Sequence, residues 1–194
     1  MPDLPRAIIF NRQQIQSAVD SVAESILVWL RSENLSEVTM ISILEGAKPF
    51  ASDLMALFKK RAPEISVEVH EVRVKGTEGT ELLKNREWDG GFLDPVVVKR
   101  RTVLLVDDLV DSGKTLEMLR ARVGAMGAGK IKTAVLFKKF GAESGPVDFC
   151  GFDLSLKREE LSRTGLKDYW LFGYGMDLNG EFRELDHIGW VEIR

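Results

Sequence analysis

The chain has 194 residues, the length of one domain, with 44% hydrophobic and 29% charged residues. That composition excludes a disordered or fibrous chain, and at this size folding buries about 70% of the surface without a metal or disulfide staple. Lys and Arg number 27 against 30 Asp and Glu, a formal net charge of -3, which lacks the basic excess usual in a nucleic-acid binder.

Cys150 is the single cysteine, so no intrachain disulfide can form and a cysteine-rich zinc site is excluded. Met1-Pro2-Asp3-Leu4-Pro5 lacks the charged-then-apolar pattern of a signal peptide, and no apolar run approaches the ~20 residues that span a bilayer. The cytoplasm, with no membrane association, is the expected compartment.

In chain order, Ile15, Val19, Val22, Ile26 and Trp29 recur at helical spacing over 12–32. The apolar run Val38 to Leu44 predicts a buried strand that stops at Glu45-Gly46-Ala47. Pro49 then suits a first helical turn, and Phe50, Leu54 and Leu57 mark a second helix. Residues 65–74 alternate as a half-buried strand should. The polar, glycine-rich stretch 75–95 breaks the rhythm; a loop of this length is either a functional lid or a mobile insertion. Thr102 to Val106 predicts another buried strand. A helix follows with Leu116, Leu119, Val123 and Met126 on one face, closed by Gly127 and Gly129. Ile131 to Phe137 is a further strand, and the last third holds short strand-like pieces at 170–172 and 188–193. Strands alternating with helices imply an α/β fold with an open, mainly parallel sheet flanked by helices, and a small C-terminal cap.

In such sheets ligands bind beyond the carboxyl ends of strands. Ser112-Gly113-Lys114-Thr115 at a helix start offers backbone N–H groups, two hydroxyls and the positive end of the helix dipole, which suit a phosphate. It is not a nucleoside-triphosphatase P-loop, because that motif needs a glycine at position 108, where this chain has Asp. Asp107, Asp108 and Asp111 crowd three carboxylates after an apolar strand. They either decorate a helix N-terminus or face hydroxyls and a cation. Beside a phosphate cradle, the second arrangement fits a ribose 5-phosphate. The basic runs Lys59-Lys60-Arg61 and Lys99-Arg100-Arg101 read as solvated edges. Two histidines, His70 and His187, do not compose a triad or metal site.

Val103-Leu104-Leu105-Val106-Asp107-Asp108-Leu109-Val110-Asp111-Ser112-Gly113-Lys114-Thr115 resembles the 5-phosphoribosyl-1-pyrophosphate (PRPP) signature of type I phosphoribosyltransferases. Leu44-Glu45-Gly46 with Ala51-Ser52-Asp53-Leu54, and the segments 148–152, 173–177 and 182–187, resemble the pyrophosphate loop, its helix and the purine-binding hood of the hypoxanthine-guanine branch. The resemblance implies one domain over 1–194, with a core at about 12–140, a hood at about 145–194 joined by the N-terminal segment, and a mobile loop at about 75–95. It implies a Mg2+-dependent transfer of ribose 5-phosphate from PRPP to a purine, giving a nucleoside 5′-monophosphate and pyrophosphate in a homodimer or homotetramer.

By the same resemblance, Asp107 and Asp108 face the ribose hydroxyls directly or through magnesium, and Asp111 assists proton removal near N7. Residues 111–115, including Ser112, Gly113, Lys114 and Thr115, hold the 5′-phosphate. The Leu44–Gly46 turn, often with a cis peptide, presents N–H groups of Glu45 and Gly46 to pyrophosphate, which Arg183 also reaches. Trp170 stacks on the base, Leu171 meets its edge through backbone atoms, and Asp177 helps to hold a second magnesium. Three positions depart from the pattern: Glu45 stands where lysine is usual, Gly76-Thr77 where Ser-Tyr is usual, and Pro146 where a lysine that reads the 6-oxo group is expected. Lys138 and Lys139, at the preceding strand end, are the candidates to substitute for that lysine, although both read first as solvated strand-end lysines. The alternatives are a relative acting on xanthine, adenine or another base, and a PRPP- or nucleotide-binding regulator on the same fold.

Overall fold

The computed structural model describes residues 7–75, 87–88, 93–139, 147–154 and 169–192. The first helix, α1 (Arg12–Ser32), follows strand β1 (Ala7–Phe10). Asn11 caps α1 in a reciprocal box: its side chain accepts from the Gln14 N–H, and the Gln14 side chain accepts from the Asn11 N–H, both at 2.9 Å. The apolar stripe then buries Ile15, Val19, Val22 and Ile26 as their spacing predicts. After β2 (Glu37–Leu44), α2 (Lys48–Arg61) carries Pro49 in its first turn and Lys59, Lys60 and Arg61 in its last, where cations favour the helix dipole. Arg61 is more than a solvated edge, since it pairs with Asp20 of α1 at 2.9 Å.

The remaining elements are β3 (Ser66–Lys75), the two-residue β4 (Glu87–Trp88), a 3-10 turn at Pro95–Val97, β5 (Thr102–Val110), α3 (Lys114–Ala125), β6 (Lys130–Lys138), β7 (Phe149–Asp153), β8 (Tyr169–Phe172) and β9 (Ile188–Glu192). The main sheet has the order β4-β3-β2-β5-β6-β7, with β3, β2, β5, β6 and β7 parallel and β4 antiparallel at one edge. This is the open, mainly parallel α/β sheet expected. Of the 75–95 stretch, 76–86 and 89–92 lie outside the described residues, while β4 and the 3-10 turn give the described part regular structure.

Side-chain alternation on β5 divides the core. Leu104 and Val106 pack with α1 and α2 on one face, and Val103 and Leu105 with α3 on the other. Two strand assignments are corrected. β5 runs on to Val110 instead of ending at Val106, because Asp107, Leu109 and Val110 continue the ladder with β6. The segment around Phe149–Asp153, grouped by resemblance with the hood, is an edge strand of the main sheet, paired parallel to β6.

A second, antiparallel sheet has the order β1-β9-β8. Three rings join it to the main sheet: Phe10 of β1 stacks on Phe152 of β7 at 4.1 Å, and Phe152 on Phe137 of β6 at 5.0 Å. Among the described residues no helix is long and apolar enough to cross a membrane.

Strand connectivity locates the binding crevice. From β2 the chain steps outward to β3, whereas from β5 it steps the other way through β6 to β7. The switch therefore lies between β2 and β5, whose carboxyl ends open into the Glu45–Ala47 and Asp111–Gly113 turns.

Because Phe137 is fully buried at the junction of the two sheets, Phe137→Ala is expected to destabilise the fold by about 3–5 kcal/mol. Urea unfolding followed by far-UV circular dichroism measures this.

Candidate functional site

Three cavities share walls along the carboxyl ends of β2 and β5. The first, about 310 Å3, is lined by Glu45, Gly46, Asp107, Asp108, Asp177 and Arg183, among others. The second, about 230 Å3, has Asp108, Asp111, Lys139, Trp170, Leu171 and Asp177 in its wall. The third, about 70 Å3, lies over Asp111, Ser112, Gly113 and Thr115. Asp108 and Asp177 border the first two, and Asp111 borders the second and third.

The third cavity sits at the start of α3. Gly113 caps that helix with a φ of 74°, a left-handed conformation that suits glycine. Ser112 Oγ is buried and has no hydrogen-bond partner among the described residues. A buried hydroxyl without a partner is costly, and an anion on the helix axis would satisfy it. Thr115 lines the same cavity, while the Lys114 side chain is exposed and lines none of the three.

In the first cavity the Leu44–Glu45 peptide is cis. Gly46 is required by close approach: a Cβ there would lie 1.9 Å from Asp108 Oδ2. Asp107 is buried, and its carboxylate accepts from the Asp108 N–H at 3.1 Å. The Asp108 carboxylate accepts from the Leu109 N–H at 2.9 Å. Burial nevertheless holds the Asp108 carboxyl above its ordinary range, against the lowering effects of the Asp107 side chain, nearby backbone N–H groups and Arg183.

Arg183 is fixed at both ends of its guanidinium, donating to the Gly175 carbonyl at 2.7 Å and pairing with Asp177 at 2.6 Å. Gly175, at φ 97°, lies so near the β2 turn that a Cβ would fall 2.1 Å from the Gly46 carbonyl oxygen. Next to it, the Tyr174 hydroxyl donates to Asp53 of α2 at 2.6 Å, and Gln16 of α1 donates to the same oxygen at 2.9 Å. Burial first, and then the Asp53 carboxylate, push the Tyr174 phenol above its ordinary range. The turn that holds Arg183 is thereby tied to both helices of one sheet face.

The second cavity is the more apolar. Leu171 is buried in its wall, and the Trp170 ring, 46% exposed, is oriented by its indole N–H donating to the Asp177 carbonyl at 2.6 Å. Lys139 departs most from the sequence expectation. Its side chain is only 11% exposed; Nζ lies 3.4 Å from Asp111 Oδ2, 5.3 Å from the Tyr169 ring centroid and 6.0 Å from that of Trp170. β8 closes over the end of β6 and turns this lysine into a pocket cation. Lys138 pairs with Asp153 at 3.5 Å on the neighbouring strand. Pro146 and Gly76-Thr77 lie outside the described residues.

All the sequence-chosen positions except the Lys114 side chain thus gather around one cleft. Of the two lysines named as substitutes at the end of β6, Lys139 is the one in the cleft; sequence reasoning missed its pairing with Asp111, that of Tyr174 with Asp53, and Arg73, which pairs with Glu45. The one local signal was the wholly buried run Thr133 to Phe137 leading into Lys138-Lys139.

Comparison with known proteins agrees with this architecture. The chain is 26% identical over 194 residues to the hypoxanthine-guanine phosphoribosyltransferase of Dictyostelium discoideum, covering 96% of this chain and 95% of that protein. It is 24% identical to human phosphoribosyltransferase domain-containing protein 1, covering 95% and 75%. A solved structure of Trypanosoma cruzi hypoxanthine phosphoribosyl transferase superposes with a TM-score of 0.76 at 22% identity, covering 100% of this chain and 94% of that one. The family model of the phosphoribosyl transferase domain matches residues 11–156, and the chain belongs to that family.

Proposed function

We propose that the protein is a purine phosphoribosyltransferase of the hypoxanthine-guanine type, converting Mg2+-PRPP and a 6-oxopurine into a nucleoside 5′-monophosphate and pyrophosphate. The observation that carries this reading is Lys139 beside Asp111 in a mainly apolar cavity, walled in part by Trp170, that adjoins an anion cradle. A buried ammonium there donates to an exocyclic oxygen, and a carboxylate beside it accepts a ring proton; a 6-oxopurine presents both. An amino group at the same place would meet a cation with no acceptor, so the pocket favours hypoxanthine and guanine over adenine. Lys139 fills the role for which the sequence pattern pointed to position 146.

In this reading the third cavity takes the 5′-phosphate on the α3 N-terminus and Ser112, with Gly113 and Thr115. The ribose lies over Asp107 and Asp108, and pyrophosphate lies between the Glu45–Gly46 turn and Arg183. Trp170 stacks on the purine and Leu171 borders its edge. Attack of the purine nitrogen on C1 breaks the C1–pyrophosphate bond, and Asp111 takes the proton that the base gives up. Positive charge grows on the ribose, where the carboxylates of Asp107 and Asp108 stabilise it, and negative charge grows on the leaving group, where Arg183 does so.

The described residues include no cluster of three or more metal-ligating side chains. They fit an ion that arrives on the substrate, because Mg2+ usually takes one or two carboxylates and completes its shell with water and phosphate. Asp107 and Asp108 would hold one such ion and Asp177 would help to hold a second, and bound metal would neutralise the pyrophosphate leaving group.

Pyrophosphate release measured over hypoxanthine, guanine, xanthine and adenine with Mg2+ tests the reading. Turnover is expected with hypoxanthine or guanine; silence across the panel, with tight PRPP binding, would leave a binding regulator. Asp111→Asn is expected to lower kcat by ~10²–10⁴ while changing PRPP affinity only a few-fold, as steady-state kinetics and calorimetry will read. Lys139→Met is expected to cost about 1–3 kcal/mol in kcat/KM for hypoxanthine and nothing for adenine.

Asp108 gives a prediction of opposite sign for stability. Its raised pKa means the folded state keeps this proton longer than the unfolded chain does, so its contribution falls as pH rises above 3.8 through the folded value. Asp108→Asn is therefore expected to raise the urea midpoint at pH 7 and lose that advantage near pH 4, while abolishing PRPP binding.

A further inference from the structure

The first cavity is acidic for a place that receives pyrophosphate. Four acidic residues, Glu45, Asp107, Asp108 and Asp177, line it against one basic residue, Arg183. Three of the acids have a use there: Asp107 and Asp108 face the ribose, and Asp177 already holds Arg183. Glu45 has none, and it sits in the turn whose backbone N–H groups would meet the anion. An uncompensated carboxylate at that point repels a polyanion.

Its compensation comes from β3. Leu44 is the register partner of Arg73, which brings the next residue, Glu45, beside that arginine, and the Arg73 guanidinium donates to the Glu45 carboxylate. Alternation along β3 places Val72 and Val74 with the core on the α3 face, and Val74 lines the cavity. Arg73 therefore belongs to the opposite face, where Lys48 of α2 pairs with Glu71 at 3.9 Å, and it does not line the cavity itself. Glu45, Arg73, Lys48 and Glu71 form a patch of alternating sign at the end of β3.

Resting on the reading of this cavity as a pyrophosphate site, we propose that Arg73 is a positioning residue. It holds the Glu45 carboxylate toward the α2 face and cancels its charge, so that the turn meets pyrophosphate with its backbone alone. Both partners are about half exposed, so the pair adds little to folding. Its effect is on the field felt by the ligand.

Titration calorimetry with Mg2+-PRPP and with inorganic pyrophosphate tests this on the wild type, Arg73→Met, Glu45→Gln and the double variant. Arg73→Met is expected to weaken both ligands about tenfold at low ionic strength, with the loss shrinking in ~0.5 M salt. Glu45→Gln is expected to bind both ligands as tightly as wild type or more so, and the double variant to match Glu45→Gln within about twofold. An unchanged Arg73→Met, a double variant as weak as Arg73→Met, or a Glu45→Gln that binds more weakly than wild type would overturn the proposal. Should Arg73→Met not fold, the sign of the Glu45→Gln effect decides. Wild-type protein that binds neither ligand would overturn the reading of the cavity and this proposal with it; ligand binding by the wild type with any of the three failures overturns this proposal alone.

Discussion

A central strand of a parallel sheet must be apolar on both faces, yet the ligands of such a sheet meet the end of that strand. β5 reconciles the two demands within nine residues. Val103 to Val106 fill the cores on either side, and Asp107 and Asp108 follow while the ladder with β6 is still being made. The acids are therefore rigid, held by strand geometry instead of loop packing, and the cost appears in the raised carboxyl of Asp108. Gly46 must lack a side chain because Asp108 occupies that space, and Arg183, anchored between β8 and β9, is the basic residue among the described ones lining that cavity.

Charge in the cleft is arranged by pairing across elements. Asp111 of the β5–α3 turn meets Lys139 at the end of β6, Asp177 meets Arg183, and Glu45 meets Arg73. The mild overall net charge of -3 is thus a poor guide to a cleft in which acids, arginine and lysine are set against one another in pairs.

What was legible in the sequence were features set by neighbours a few residues apart. The α1 stripe, the buried runs of β2, β5 and β6, and the 107–115 signature all depend on local periodicity or spacing. What was not legible depends on distant partners. A lysine after an apolar strand is ordinarily solvated, and only β8 packing over Lys139 makes it a pocket residue. Tyr174 and Asp53 are 121 positions apart, and nothing near either announces the other. A resemblance between short segments also does not say which sheet a strand joins, and β7, in a segment that resembles the hood, pairs with β6 at the edge of the main sheet.

The contact of Gly175 with the Gly46 carbonyl ties the histories of two remote segments together. No side chain fits at 175 unless the turn after β2 moves, and no side chain fits at 46 unless Asp108 moves. Drift at any of these three positions is therefore constrained by the other two, although they lie on separate stretches of chain. For anyone grafting this cleft or recombining it with a relative, the turn after β2, the end of β5 and the 173–177 turn must be exchanged as a single cassette.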